Sequence, residues 1–201
     1  MKKILAVFFI AVFCSVCAPA FAQTTIFTQT LTNNDSGNNG LSFRTCIPIT
    51  GDSLGQVRVT FQSGSANWVV AHAAIGVSVT AVGVGCQQTT ATPVELTFSG
   101  GSGFNLGSSS NLTSDWVNLS FTGSAILVVI TDITSGNEEL ATGVTGVTSF
   151  LNVSGSTYNQ ANPAGYSGSG TSGFVPGFNL VQTQAAAGGT IHNLLLLGVG
   201  Q

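Results

Sequence analysis

The chain has 201 residues, of which 43% are hydrophobic and only 5% charged, and it sets four lysines and arginines against seven acids. The cations are Lys2, Lys3, Arg44 and Arg58, so from residue 23 onward two arginines face all seven acids, a formal charge of −5. No basic footprint exists to exchange counterions with phosphate, and no lysine remains for Schiff-base or P-loop chemistry, so nucleic acid is not expected as a partner; the apolar content rules against disorder.

The first residues, "MKKILAVFFIAVFCSVCAPAFAQTT", read as a signal peptide. Two lysines precede an apolar run, and Ala20-Phe21-Ala22 places small residues at −3 and −1 of a cleavage site. The run is short for a membrane span, which needs about 20 residues. Cleavage after Ala22 would leave residues 23–201 as one domain, secreted or periplasmic, with no transmembrane segment. Cys17 follows the bulky Val16 and does not make a lipobox.

Strand-like runs then follow one another, separated by Gly, Ser, Asn and Asp. "TTIFTQTLT" (24–32) is β-branched, "NNDSGNNG" (33–40) reads as a loop, and "LSFRTCIPI" (41–49) is the next run. "QVRVTFQ" (56–62) alternates cleanly, with Val57, Val59 and Phe61 on one face and Arg58, Thr60 and Gln62 on the other. "NWVVAHAAIGVSVTAVGV" (67–84) is long enough for two strands, or for one bent near Gly76. "PVELTFS" (93–99), "DWVNLSF" (115–121), "AILVVITDI" (125–133), "TSFLNV" (148–153), "GFNLVQTQ" (177–184) and "TIHNLLLLGV" (190–199) complete the set. The fully apolar "AILVVI" and "LLLL" suggest central strands covered on both faces. The expectation is an all-β, antiparallel β-sandwich, jelly-roll-like, with about ten strands. Residues 154–178 read as a Gly/Ser-rich surface loop carrying both tyrosines. Cys46 and Cys86, the two cysteines left after cleavage, are expected to form a disulfide closing a loop of about 40 residues, the alternative being two buried thiols.

Gly51-Asp52-Ser53-Leu54 spells the tetrapeptide of the GDSL serine hydrolases. In that family the serine follows a parallel strand and opens a helix, and an Asp-x-x-His supplies the base. Here Gly189 stands three residues before His192 and Val69 three before His72, and a strand follows Ser53. A base, an orienting carboxylate and oxyanion donors are thus missing from the pattern, and the tetrapeptide reads as a hairpin turn. His72, in an apolar strand, reads as a core histidine, and no Cys/His spacing suggests zinc. Asp132, Glu138 and Glu139 in "TDITSGNEE" offer hard oxygens for Ca²⁺ but lack the alternating spacing of a calcium loop; a solvated acidic turn is the simpler reading. No metal or cofactor is expected. Sequons begin at Asn34, Asn111, Asn118 and Asn152 and are expected to be bare.

The stretches "QVRVTFQSGSANWVVAHAAIGVS", "PVELTFSGGSGFNLGSSSNLTSDWVNLSF" and "AILVVITDI", with "LSFRTCIPI" before and "YNQANPAGYSGSG" after, resemble a β-sandwich accessory module found beside SGNH/GDSL hydrolase domains and in secreted or phage-associated bacterial proteins. The resemblance implies a jelly-roll-like module that engages glycans or surfaces without a catalytic domain. The expected function is therefore a non-catalytic binding or surface-interaction module for a glycan or cell-surface polymer, with Tyr158, Tyr166, Trp116 and Trp68 as ligand-binding aromatics. The alternative is a structural or assembly subunit of an extracellular fibre or coat, self-associating through sheet edges or a terminal strand. A GDSL-type hydrolase ranks third.

Overall fold

The computed structural model describes residues 22–80, 85–152, 155–166 and 170–186. The expected signal segment, the run at 190–199 and His192 lie outside the described residues. Fourteen strands and no helix occur among the described residues, more strands than the ten or so expected from sequence. In chain order they are β1 (Gln23–Thr28), β2 (Asn33–Ser36), β3 (Ser42–Ile49), β4 (Gly55–Val77), β5 (Val94–Phe98), β6 (Gly101–Ser102), β7 (Phe104–Leu106), β8 (Asn111–Thr113), β9 (Val117–Asn118), β10 (Ala125–Ala141), β11 (Thr148–Asn152), β12 (Thr171–Ser172), β13 (Val175–Pro176) and β14 (Phe178–Ala185). They form one curled antiparallel sheet whose path runs β1-β14-β4-β10-β3-β11-β12.

The 23-residue β4 is the spine. It joins the runs expected at 56–62 and 67–84 by continuing through "SGSA" between them. Its first half pairs with β14 on one side and with β8 and β9 on the other. Its second half pairs with β10 on one side and with β5 and β7 on the other. A strand this long must bend, and three register shifts fall between β10 and β4, at Asp132/Ile133, Ile133/Ser135 and Gly136/Glu138. Gly136 sits in one of them at φ 115°, and a Cβ there would strike the backbone of Asn67 and Trp68, so only glycine lets the strands cross this closely.

Alternation sets the core. Val57, Val59 and Phe61 are fully buried, as their spacing predicts, and meet Trp68, Ile75, Leu127, Val129 and Phe178 in one cluster. Phe61, Trp68, Phe98 and Phe104 form its aromatic centre, with Phe104 5.1 Å from Trp68 and 4.8 Å from Phe98 between ring centroids. β10 lies between β3 and β4 and is covered on both faces: Leu127 and Val129 belong to the main cluster, while Val128 and Ile130 pack with Ala74 and Tyr158 on the other side. The "NNDSGNNG" segment is a strand as well as a loop, because β2 pairs with residues Asn137–Leu140 of β10. The acidic "turn" is likewise an extension of β10 to Ala141. The surface loop expected at 154–178 holds β12 and β13, and its segment 155–166 packs onto the sheet.

Candidate functional site

The tetrapeptide at 51–54 is a turn, but not of a hairpin. β3 pairs with β10 and β11, whereas the first half of β4 pairs with β14, β8 and β9, so the turn carries the chain from one set of strands to another. Ser53 Oγ donates to the Leu119 carbonyl at 2.5 Å and accepts from the Gly55 N–H at 3.0 Å. Asp52 Oδ1 accepts from the Gly123 N–H. Both side chains tie the turn to segment 119–123, and among the described residues no histidine or carboxylate contacts the Ser53 hydroxyl. A cleft of about 770 Å³ opens beside it, lined by Pro48, Ile49, Val77, Thr90, Phe121 and Ser124 among others, with no titratable side chain in its wall.

The outer face of β4-β10-β3-β11 carries a polar row. Register places His72, Asp132, Ser42 and Asn152 side by side, with Ala74, Ile130, Arg44 and Phe150 two residues along each strand. Segments 85–93 and 155–166 cover this face. Cys46 and Cys86 stand at disulfide distance, Sγ–Sγ 2.08 Å, and anchor the first of them. Arg44, fully buried, donates to the carbonyls of Gln87 (2.7 Å), Thr157 (2.6 Å) and Gln160 (2.5 Å), clamping both segments. Burial lowers the Arg44 pKa from its ordinary value, with Tyr166 and Asp132 opposing. Asp132 accepts from Ser42 Oγ at 2.5 Å, from Ser156 Oγ, and at 3.4 Å from the N–H groups of Thr157 and Tyr158.

The aromatic candidates divide on this geometry. Tyr166 bonds Ser42 Oγ at 2.8 Å and Thr157 Oγ1 at 2.7 Å, lies 5.7 Å from the Arg44 guanidinium, and has its pKa raised by burial. Tyr158 stacks flat on the His72 imidazole, 3.9 Å between centroids. Both tyrosines thus latch segment 155–166 to the sheet rather than standing free on a loop. His72 is not the core histidine expected; it is about one-third exposed and its Nδ1 lies 2.8 Å from Glu95 Oε1. Trp68, named as a ligand-binding aromatic, is corrected: β4 runs on through the polar stretch before it, and its side chain is fully buried. Gly177 passes so close that a Cβ would fall on the indole.

Trp116 is the one candidate aromatic that reaches the face of β1-β14-β4-β9. On β4, Gln56, Arg58 and Thr60 point away from the core side chains Val57, Val59 and Phe61. Register sets Gln184 and Asn118 beside Gln56, Gln182 beside Arg58, and Thr113 beside Thr60. Gln184 donates to Gln56 and Gln56 to Asn118, both at 3.1 Å, an amide ladder across three strands. Arg58 donates to Gln182 (3.0 Å) and Gln23 (2.8 Å), and its guanidinium lies over the Trp116 ring at 4.5 Å. The alternation made Arg58 and Thr60 legible as one face. The partners Gln182 and Gln184 were not, because they arrive from a strand more than 120 residues away.

Asp132, Glu138 and Glu139, read from sequence as a solvated acidic turn, are dispersed along β10. Asp132 lies under the tyrosine segment, Glu138 faces Asp35 and Asn38, and Glu139 accepts from Gln62 Nε2. Burial pushes the Glu138 carboxyl up to about 7, with the Asn38 hydrogen bond opposing and Asp35 reinforcing the shift. Among the described residues no three His, Cys, Asp or Glu side chains gather to hold a metal ion, and no helix is long and apolar enough to cross a membrane. No protein-family model matches the chain, and no curated protein matches it at a significant level.

Proposed function

We propose that this chain is a non-catalytic binding module that works outside the cytoplasm and lays the amide-rich face of β1-β14-β4-β9 on a glycan or other hydroxyl-rich surface polymer. The observation that carries the reading is the Gln184–Gln56–Asn118 ladder beside Arg58 and Trp116. A carboxamide both donates and accepts, so a row of them matches hydroxyls, which do the same. The indole offers an apolar surface for sugar C–H groups, and Arg58 holds it in place. Among the described residues, those of this face are amides, Arg58, Thr60 and Trp116, groups that hold hydroxyls rather than transfer protons at neutral pH.

The signal-like start and the Cys46–Cys86 pair support export to an oxidising compartment, periplasmic or extracellular. We read the curled sheet as a sandwich, since Phe61 from the first half of β4 and Trp68 from the second meet in one core. The experiment is a titration of the protein with soluble polysaccharides (xylan, dextran, polygalacturonate), followed by tryptophan fluorescence. Trp116 should report and the buried Trp68 should not, so a response that persists in Trp116→Phe counts against the reading.

The second reading, an assembly subunit, has one observation of its own: among the described residues β1 pairs only with β14, leaving its other edge open. Light scattering decides between the two, because assembly through that edge predicts mass growing with concentration.

A further inference from the structure

Glu138 is fully buried in β10, and one of its oxygens has no company. Asn38 Nδ2 donates to Oε1 at 2.5 Å, while Oε2 has no hydrogen-bond partner. A carboxylate in that position is costly unless a proton, a cationic side chain or a metal ion neutralises it. The basic side chains among the described residues are engaged elsewhere: Arg44 under the covering segments, Arg58 on Trp116, His72 against Glu95.

Directly across the ladder from Glu138 stands Asp35 of β2. The same Asn38 nitrogen donates to Asp35 Oδ2 at 2.8 Å. Two carboxylates therefore converge on one amide group. Asp35 and Asn38 are half-exposed and wall a cleft of about 180 Å³ together with Phe43, Ser149 and Thr171, while the fully buried Glu138 is not part of that wall.

We infer that Asp35, Asn38 and Glu138 form a divalent-cation site and that its ion is Ca²⁺. Turning the Asn38 amide by 180° exchanges its nitrogen for its oxygen without moving the chain, and converts the donor between the carboxylates into a third oxygen ligand. One doubly charged ion then neutralises both acids, whereas one proton neutralises only one of them. Carboxylate and amide oxygens with room for water suit Ca²⁺, which accepts six to eight oxygens in flexible geometry, better than Mg²⁺, which demands a near-ideal octahedron. Three side chains and water make a modest site, in the affinity range of extracellular calcium modules. The ion would pin segment 33–40 to β10. This site differs from the Asp132, Glu138 and Glu139 grouping that the sequence suggested, and it does not depend on the polymer-binding reading.

The test uses the whole protein stripped with EDTA and titrated at pH 7.5 with CaCl₂ or MgCl₂, by calorimetry and by thermal melting. The expected result is saturable heat with Ca²⁺ and a melting rise of roughly 5–10 °C once Ca²⁺ exceeds its dissociation constant about 100-fold. Glu138→Gln and Asp35→Asn keep the side-chain shapes and should each abolish the response. Should Glu138→Gln fail to fold, Asp35→Asn at its half-exposed position carries the test. Absence of heat and of a melting shift in the wild type overturns the site, as does an undiminished response in Asp35→Asn. An equal response to MgCl₂ overturns the assignment to calcium.

Discussion

Replacing both Cys46 and Cys86 by serine tests how the covering segments are held. The two are separated by 40 residues and both side chains are fully buried. In the chain-entropy model, releasing a loop of that size returns to the unfolded chain about 13 cal/mol/K, or about 4 kcal/mol at 25 °C. Two buried hydroxyls without designed partners add to the loss rather than offset it. Arg44 still clamps the Gln87 carbonyl from beneath, so the fold should survive with its sheet intact. Urea unfolding of oxidised wild type and of the double variant, followed by tryptophan fluorescence, gives the difference directly. A loss below about 1 kcal/mol with unchanged m-value would refute the reasoning, since the cross-link would then constrain nothing that the sheet does not already constrain.

Other expectations follow from the buried polar groups. Arg44→Met keeps the aliphatic stem but strands the carbonyls of Gln87, Thr157 and Gln160, and should cost about 3 kcal/mol. Amide exchange should quicken first in segments 85–93 and 155–166, and uniform protection across the chain would contradict the clamp. In EDTA, stability should fall as pH rises from about 4.5 to about 7, because folded Glu138 holds its proton more tightly than the unfolded chain does. The full change is about 3 kcal/mol, and Glu138→Gln should flatten it; an identical slope in the variant would assign the effect to other groups.

The strands that carry clean patterns were readable from sequence. Val57, Val59 and Phe61 announce one buried face, and "AILVVI" announces a strand buried on two. The pairing was not readable, since it depends on partners far apart in the chain. "NNDSGNNG" has turn chemistry throughout, yet β10 recruits its first four residues as β2, a tertiary choice that overrides local preference. Trp68 follows the polar "SGSAN", but β4 runs on through that stretch and the indole is fully buried, at a position opposite in parity to Val57, Val59 and Phe61, which the alternation of the first half does not foretell. Tyr158 and Tyr166 sit in a polar stretch and looked free, but His72, Ser42 and Arg44, all distant in sequence, hold them down. Of the four aromatics only Trp116 lies beside the amide row of β14, β4 and β9, and those amides gained meaning only when register aligned them.

The Arg58–Trp116 face is proposed to bind a polymer while the tyrosine segment only braces the fold. The most direct measurement is the affinity of wild type, Trp116→Ala, Arg58→Ala and Tyr166→Phe for whichever polysaccharide of the panel shifts tryptophan fluorescence or calorimetric heat. The expected losses are roughly tenfold or more in the first two variants, equivalent to about 1.4 kcal/mol, with unchanged affinity in Tyr166→Phe. Affinity that survives Trp116→Ala and Arg58→Ala but falls in Tyr166→Phe would place binding on the opposite side of the sheet and contradict the proposal.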